Sequence, residues 1–248
     1  MKAVTRRTFI ASCGIASLVW CGSAGIESAQ RLASQFAYRQ LKGDASTGAE
    51  EMRASQSSST NGSHDLLAQN SDAVGWLNVE NTPVSYPLVQ ASAQRREWYL
   101  THDFWNRRNV AGCPFIDDRC SISSQHVLVF GHHLGSSDSM FSPLATAWKT
   151  RVFSNLGMAS IELVNDVAYR FRPFCALHVE KDFEPIQRFE WPDDTGLHSW
   201  LGQILKEASA EAADAQKQAE KARQILTLAT CSNAIAGQQK RTLTVFVR

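Results

Sequence analysis

The sequence predicts a mainly β protein, a closed or nearly closed barrel with peripheral helices, and three observations carry that reading. After about residue 65 the chain breaks into many short β-rich runs, each bounded by turn residues. The runs are irregularly spaced and no internal repeat is evident, which fits a barrel better than a repeat array. One long helical stretch interrupts them just before the last two runs.

The elements follow in chain order. Lys2, Arg6 and Arg7 precede an uncharged stretch from Thr8 to Ile26, which reads as a secretory signal or a membrane anchor. Its length is just enough to cross about 30 Å of hydrocarbon, and the positive charges in front of it direct the rest of the chain outside. Thr5-Arg6-Arg7-Thr8-Phe9-Ile10 also resembles a twin-arginine export signal, although an ordinary positive leader explains it as well. Leu32, Phe36, Ala37 and Leu41 recur at helical spacing, so a short amphipathic helix is expected to follow. Lys42 to about Asp65 is rich in Ser, Thr, Gly, Asn and charge, the composition of a linker. Strands are expected at Val84 to Val89, Val127 to Phe130, Ser160 to Val164, Tyr169 to Leu177, Ile225 to Thr230 and Thr242 to Val247. The interruption, Leu197 to about Gln224, carries Leu197, Trp200, Leu201, Ile204, Leu205 and Ala208 on one face and predicts a helix with a solvated second half.

Composition removes whole function classes. With 25 Lys+Arg against 24 Asp+Glu, the net charge of +1 supplies no concentrated basic face, so nucleic acid is excluded as a partner. Six cysteines in 248 residues are too few for a disulfide scaffold and are read singly. Val127-Leu128-Val129-Phe130 runs into Gly131-His132-His133, Ile225 to Thr230 runs into Cys231-Ser232-Asn233, and Arg241 opens the final strand. Three strands thus deliver one histidine, one cysteine and one arginine. A thiolate is a strong nucleophile, an imidazolium beside it lowers the thiol pKa and protonates the leaving amine, and a guanidinium can stabilise an oxyanion. From spacing alone, a buried thiol, a surface histidine and a solvated arginine remain the default readings.

Thr230-Cys231-Ser232 with Arg241 ten residues after the cysteine, together with Gly131-His132, resembles the sortase signature. Val74-Gly75-Trp76-Leu77, Thr82 to Gln90, Tyr99 to Phe104, Ala111-Gly112, Phe115-Ile116-Asp117 and Ser139-Met140-Phe141 match the class B branch in its order, from about Asp72 to Arg248. The resemblance implies an eight-stranded sortase barrel, with the long helix before the cysteine strand as the class B insertion. It implies a cysteine transpeptidase that cleaves a C-terminal sorting motif of secreted proteins and holds the acyl group as a thioester. An amine of a cell-wall precursor, or a pilin lysine, then resolves it. By position, His132 is the acid/base, Cys231 the nucleophile and Arg241 the oxyanion and substrate-positioning cation; no cofactor or metal is implied. The organisation expected is a signal or membrane anchor at 1–26, a helix and polar linker at 27–71 and the catalytic domain at 72–248, outside the cell membrane. A pilin-polymerising sortase and a catalytically silent peptide-binding barrel are the alternatives.

The chain departs from the family at Asn233, where some class B members carry an acid two residues after the cysteine. Neighbours in an extended segment face opposite ways, so only one of His132 and His133 can face Cys231, and the family pattern favours the first. Cys113 and Cys120 are close enough in sequence for a disulfide but are read as thiols, and Cys175 as core. His102-Asp103 imitates a catalytic dyad in a motif that reads as structural, while Trp98, Trp105 and Trp191 read as packing residues.

Overall fold

The computed structural model of the chain describes residues 33, 36–38, 40, 41, 66–135, 138–231 and 239–248, with position 231 described through its backbone alone. The signal or anchor expected at 1–26, the polar linker and Asn233 lie outside the described residues. Among the described residues, no helix is long and apolar enough to cross a membrane.

Among the described residues, nine strands form one sheet: β1 (Ala73–Val79), β2 (Ser85–Val89), β3 (Phe115–Ile116), β4 (His126–Phe130), β5 (Ala159–Leu163), β6 (Ala168–Glu180), β7 (Ala210–Glu211), β8 (Ile225–Cys231) and β9 (Lys240–Val247). The order is β5-β1-β2-β3-β4-β8-β9-β6-β7, and a β5–β6 pairing closes the first eight into a barrel that leaves β7 outside. Closure removes the exposed edges that an open sheet must otherwise protect. The β2–β3 and β4–β8 pairs are parallel. The other ladders are antiparallel, including β8–β9 and β6–β9.

All six expected strands form, with ends shifted by a few residues. Three strands carry no clear period-2 signal. In β1 the residues alternate buried and half-buried, but Val74 and Trp76 on the more open side also pack against the core, so both faces are apolar. β3 and β7 have two residues each, too short for any period. Tyr38, Leu41 and Leu66, from the segment before residue 72, are buried in the same core cluster. The Tyr38 ring stacks on Trp105 at 5.3 Å, and its hydroxyl accepts from the Phe104 N–H at 3.2 Å.

The helix expected over Leu197 to Gln224 is real only in its first half. Helix α1 (Asp194–Lys206) is capped by Asp193, whose carboxylate accepts from the Gly196 N–H at 2.8 Å, a cap worth about 1 kcal/mol. It buries Leu197, Trp200, Leu201, Ile204 and Leu205. Beyond it the chain turns extended as β7 and then forms only the five-residue helix α2 (Ala215–Ala219). The cause is an unfilled edge on β6. The β5 ladder covers that edge only from Ala168 to Phe171, and β7 pairs with Cys175 and Ala176 beyond it. Ser209 and Ala212 add N–H donors to the carbonyls of Ala176 and Phe174, both at 2.9 Å. Small side chains let this backbone approach so closely; Ala210 is buried against Ala147, Phe153 and Ala176. Tertiary hydrogen bonds here outweigh the high helix propensity of an Ala/Glu/Lys/Gln run.

Under α1 lies His126 of β4, fully buried beside Trp200 and Phe189. Its Nδ1–H donates to the Arg188 carbonyl at 2.7 Å, so Nε2 accepts from the Thr227 hydroxyl at 2.9 Å. Burial lowers its pKa to about 4, which keeps the ring neutral in the fold. The unfolded chain binds that proton near pH 6.5. Stability is therefore full above about pH 6.5 and declines as pH falls toward 4, by on the order of 3 kcal/mol from this residue. Urea unfolding across that range is expected to show the decline, and His126→Gln to flatten it.

Candidate active site

Strand direction gathers the candidate residues at one end of the barrel. β4 and β8 are parallel and start in register, His126 opposite Ile225, so they finish together with Phe130 beside Ala229. The Gly131 N–H continues the ladder by donating to the Ala229 carbonyl at 3.1 Å, which brings His132 alongside the end of β8. β9 runs the opposite way, so its first residues meet the last of β8, and Cys231 lies directly opposite Arg241.

Alternation then sorts the faces. Leu128, Phe130 and His132 from β4 and its extension, Ala229 from β8, and Arg241 and Leu243 from β9 line one cleft. Position 231 lies two residues beyond Ala229 and opposite Arg241, which places it on the same face. Farther down this face are Thr227 and His126, where α1 provides the cover. The cleft is the part of the face that α1 leaves open. Its walls are Leu100 on one side and Val179, Phe183 and Ile186 on the other, so a mainly apolar groove carries a few polar groups at its head. Such a lining suits an extended peptide segment. Glu180 and Lys240 pair at the mouth at 3.1 Å, an exposed contact that contributes little stability.

Arg241 is 5% exposed, and its Nη1 donates to the Lys240 carbonyl at 3.1 Å. A guanidinium held this deep acts through a low dielectric, where charge interactions are much stronger than in water. The His132 ring is half-buried with Nε2 at 2.7 Å from the Leu100 carbonyl. Desolvation lowers its pKa below the ordinary histidine value, and the hydrogen bond to Leu100 partly offsets this. The turn that carries it is fastened on several sides. The His132 carbonyl accepts from the Phe141 N–H at 2.9 Å, the Leu134 N–H donates to the Ser142 hydroxyl at 2.8 Å, and the Met140 N–H donates to the Tyr86 hydroxyl at 2.9 Å.

The competing residues lie elsewhere. His133 does not line the cleft, and its Nε2–H donates to Gly135 in its own turn at 3.0 Å. His102 stacks on Trp98 at 3.6 Å and bonds its carbonyl at 2.9 Å, while the buried Asp103 accepts from two N–H groups and pairs with Arg107. Cys113, Cys120 and Cys175 are free and buried. Burial pushes the Cys120 thiol up to about 12 and the other two well above the usual thiol range, so none is a nucleophile near neutrality. The sequence marked Tyr99 to Phe104 and Ala111-Gly112 only as family matches and gave the Leu100 carbonyl and Gly112 no role at the site. Gly112 has φ +62°, and a Cβ there would come 3.1 Å from the His132 ring and collide with the Tyr99 carbonyl. Their importance lies in a backbone carbonyl and a missing Cβ that meet His132 only after folding.

No family model matches the chain. Among curated proteins it is similar to the sortase B of Listeria monocytogenes, 28% identical over 171 residues that cover 67% of this chain and 65% of that protein. The sortase B of Staphylococcus aureus is 25% identical over 187 residues, 71% of this chain and 70% of that one. The chain thus spans about two thirds of the length of the Listeria protein. Among solved structures, the Staphylococcus aureus sortase B–substrate complex has a TM-score of 0.71 at 22% identity, covering 90% of this chain and 98% of that one. Clostridium perfringens sortase B has a TM-score of 0.64 at 22% identity, covering 74% and 97%. The architecture is therefore the sortase fold. Within it, the relatives in sequence and the neighbours in structure are alike sortase B proteins, and together they support a class B sortase.

The turn before His132 offers a direct test of this geometry. A Cβ on Gly131 would lie 2.5 to 2.8 Å from the ring of Phe141, which is fully buried. Gly131→Ala is expected to cost about 1–3 kcal/mol through overpacking, read as a lowered midpoint in thermal unfolding.

Proposed function

We propose that the chain is a class B-type sortase, a cysteine transpeptidase acting at the outer face of a cell membrane. The observation that carries this reading is the β8–β9 register, which pairs Cys231 with Arg241, together with the single cleft that Arg241 and His132 both line. The Lys2, Arg6, Arg7 leader and the uncharged stretch after it support export with an N-terminal signal or anchor. The apolar groove supports a peptide substrate, the sorting motif of a secreted protein. One of the neighbouring sortase B structures is complexed with triglycine, which supports a wall-precursor amine as acceptor.

In this reading the Cys231 thiolate attacks the carbonyl carbon of the sorting motif. The oxyanion that forms is stabilised by the Arg241 guanidinium, whose charge is strongest in the low dielectric of the cleft. The tetrahedral intermediate collapses to a thioester as the His132 imidazolium gives its proton to the departing amine. The incoming amine then attacks the thioester, His132 takes up the proton, and the thiolate is released. Desolvation favours the neutral His132 ring and therefore works against the thiolate–imidazolium form.

The test uses the full chain with a library of sorting-motif peptides, with and without an added amine, read by mass. Wild type is expected to form a thioester adduct and an amine-joined product, and Cys231→Ala to form neither; retained turnover by that variant would sink the assignment. Arg241→Ala is expected to lower kcat by about 100-fold or more. The pH profile of kcat/KM is expected to be bell-shaped, with its acid limb centred below the ordinary histidine value because the His132 pKa is lowered. An alkylating agent applied to the native chain is expected to modify Cys231 ahead of the buried Cys113, Cys120 and Cys175.

A further inference from the structure

The geometry points to the Leu100 carbonyl and Gly112 as a positioning pair that reserves Nδ1 of His132 for proton transfer. This inference rests on the acid/base role proposed above for His132. A carbonyl oxygen only accepts hydrogen bonds, so the 2.7 Å contact to Leu100 places a proton on Nε2. The neutral ring is then the Nε2–H tautomer, and Nδ1 carries the lone pair. Among the described residues Nε2 alone is engaged. Buried His126 makes the contrast, since both its nitrogens are bonded, to Arg188 and to Thr227, and neither is left for chemistry.

The carbonyl is aimed by its surroundings. Leu100 is 7% exposed and closes a short 3-10 turn, its N–H donating to the Glu97 carbonyl at 3.1 Å. The next strand of chain is tied to this turn by the Cys113 N–H, which donates to Tyr99 at 3.0 Å. That tie leaves room only for a residue without a side chain at 112. A Cβ there would collide with the Tyr99 carbonyl, approach the Leu100 carbonyl to 3.3 Å and press on His132 Cδ2 at 3.1 Å. Cδ2 is bonded to Nε2, so a methyl group would push on the ring edge that holds the hydrogen bond. The φ of +62° disfavours any larger residue independently.

The proton path follows. Nδ1 accepts the Cys231 thiol proton, delivers it to the nitrogen of the departing amine, and later takes one proton from the attacking amine and returns it to the departing thiolate. Nε2–H stays on Leu100 throughout, so the ring need not flip between half-reactions. Histidine-labelled ¹⁵N NMR of the full chain, with His132→Gln to assign the signal, tests this without reference to activity. The expected neutral form has a protonated Nε2 and an unprotonated Nδ1 whose shift moves on titration. A protonated Nδ1 in the neutral form, or a fast mixture of tautomers, overturns the inference. Gly112→Ala is expected to lower kcat by about 100-fold with KM for the peptide little changed, and to convert the single tautomer into a mixture. Unchanged kcat with an unchanged tautomer in that variant also overturns it. If Gly112→Ala does not fold, the spectrum of the unsubstituted chain decides alone. A chain with the expected tautomer and no transpeptidation would instead refute the proposed function and leave the positioning intact.

Discussion

The ladder between β8 and β9 is the constraint on which the rest of the site depends. Its hydrogen bonds run from Ile225 opposite Val247 to Cys231 opposite Arg241, and buried residues line it along its length. A slip of one residue would send every β9 side chain to the other face. Phe246 and Val245 would exchange environments, and Arg241 would leave the cleft. The packing of apolar residues well below the site therefore fixes which side of the sheet carries the cation. The parallel β4–β8 pair does the same for His132, because parallel strands end together and their loops emerge at one end.

The electrostatics of the site follow from depth rather than from net charge. A chain with net charge +1 has no long-range field to speak of, yet a guanidinium that is 5% exposed is a strong local source. The same low dielectric has opposite consequences for different groups. It raises the pKa of the buried thiols and silences them, and it keeps His126 neutral as a structural hydrogen-bonding group. His132 differs from His126 in being only half-buried and, among the described residues, in having one engaged nitrogen instead of two. Residue type is shared, and the hydrogen-bond pattern separates the roles.

Packing around the site also shows why a sortase-type cleft sits where it does. The face that carries His126, Thr227 and Trp200 under α1 is continuous with the face that carries His132 and Arg241. The helix ends at Lys206, and the residues that follow bond the unfilled edge of β6. Cleft and helix are thus complementary parts of a single surface.

Much of this was legible in the residues themselves. The strands β2, β4, β5, β6, β8 and β9 announce themselves by β-branched and apolar runs, and the strand-end histidine, cysteine and arginine stand out because a buried run stops just before each or begins just after. The amphipathic half of the helix was equally plain, with Trp200, Leu201, Ile204 and Leu205 on one face. Local sequence determines those features because they depend on propensity and on short periods. It could not determine that residues 210 and 211 would form a strand, since only the vacant β6 edge makes that favourable. Nor could it assign a role to Leu100 or Gly112, whose importance comes from a backbone carbonyl and a missing Cβ brought against His132 from distant parts of the chain. The tertiary structure decided these points, because hydrogen-bond partners and close approaches between distant segments exist only once the barrel has closed.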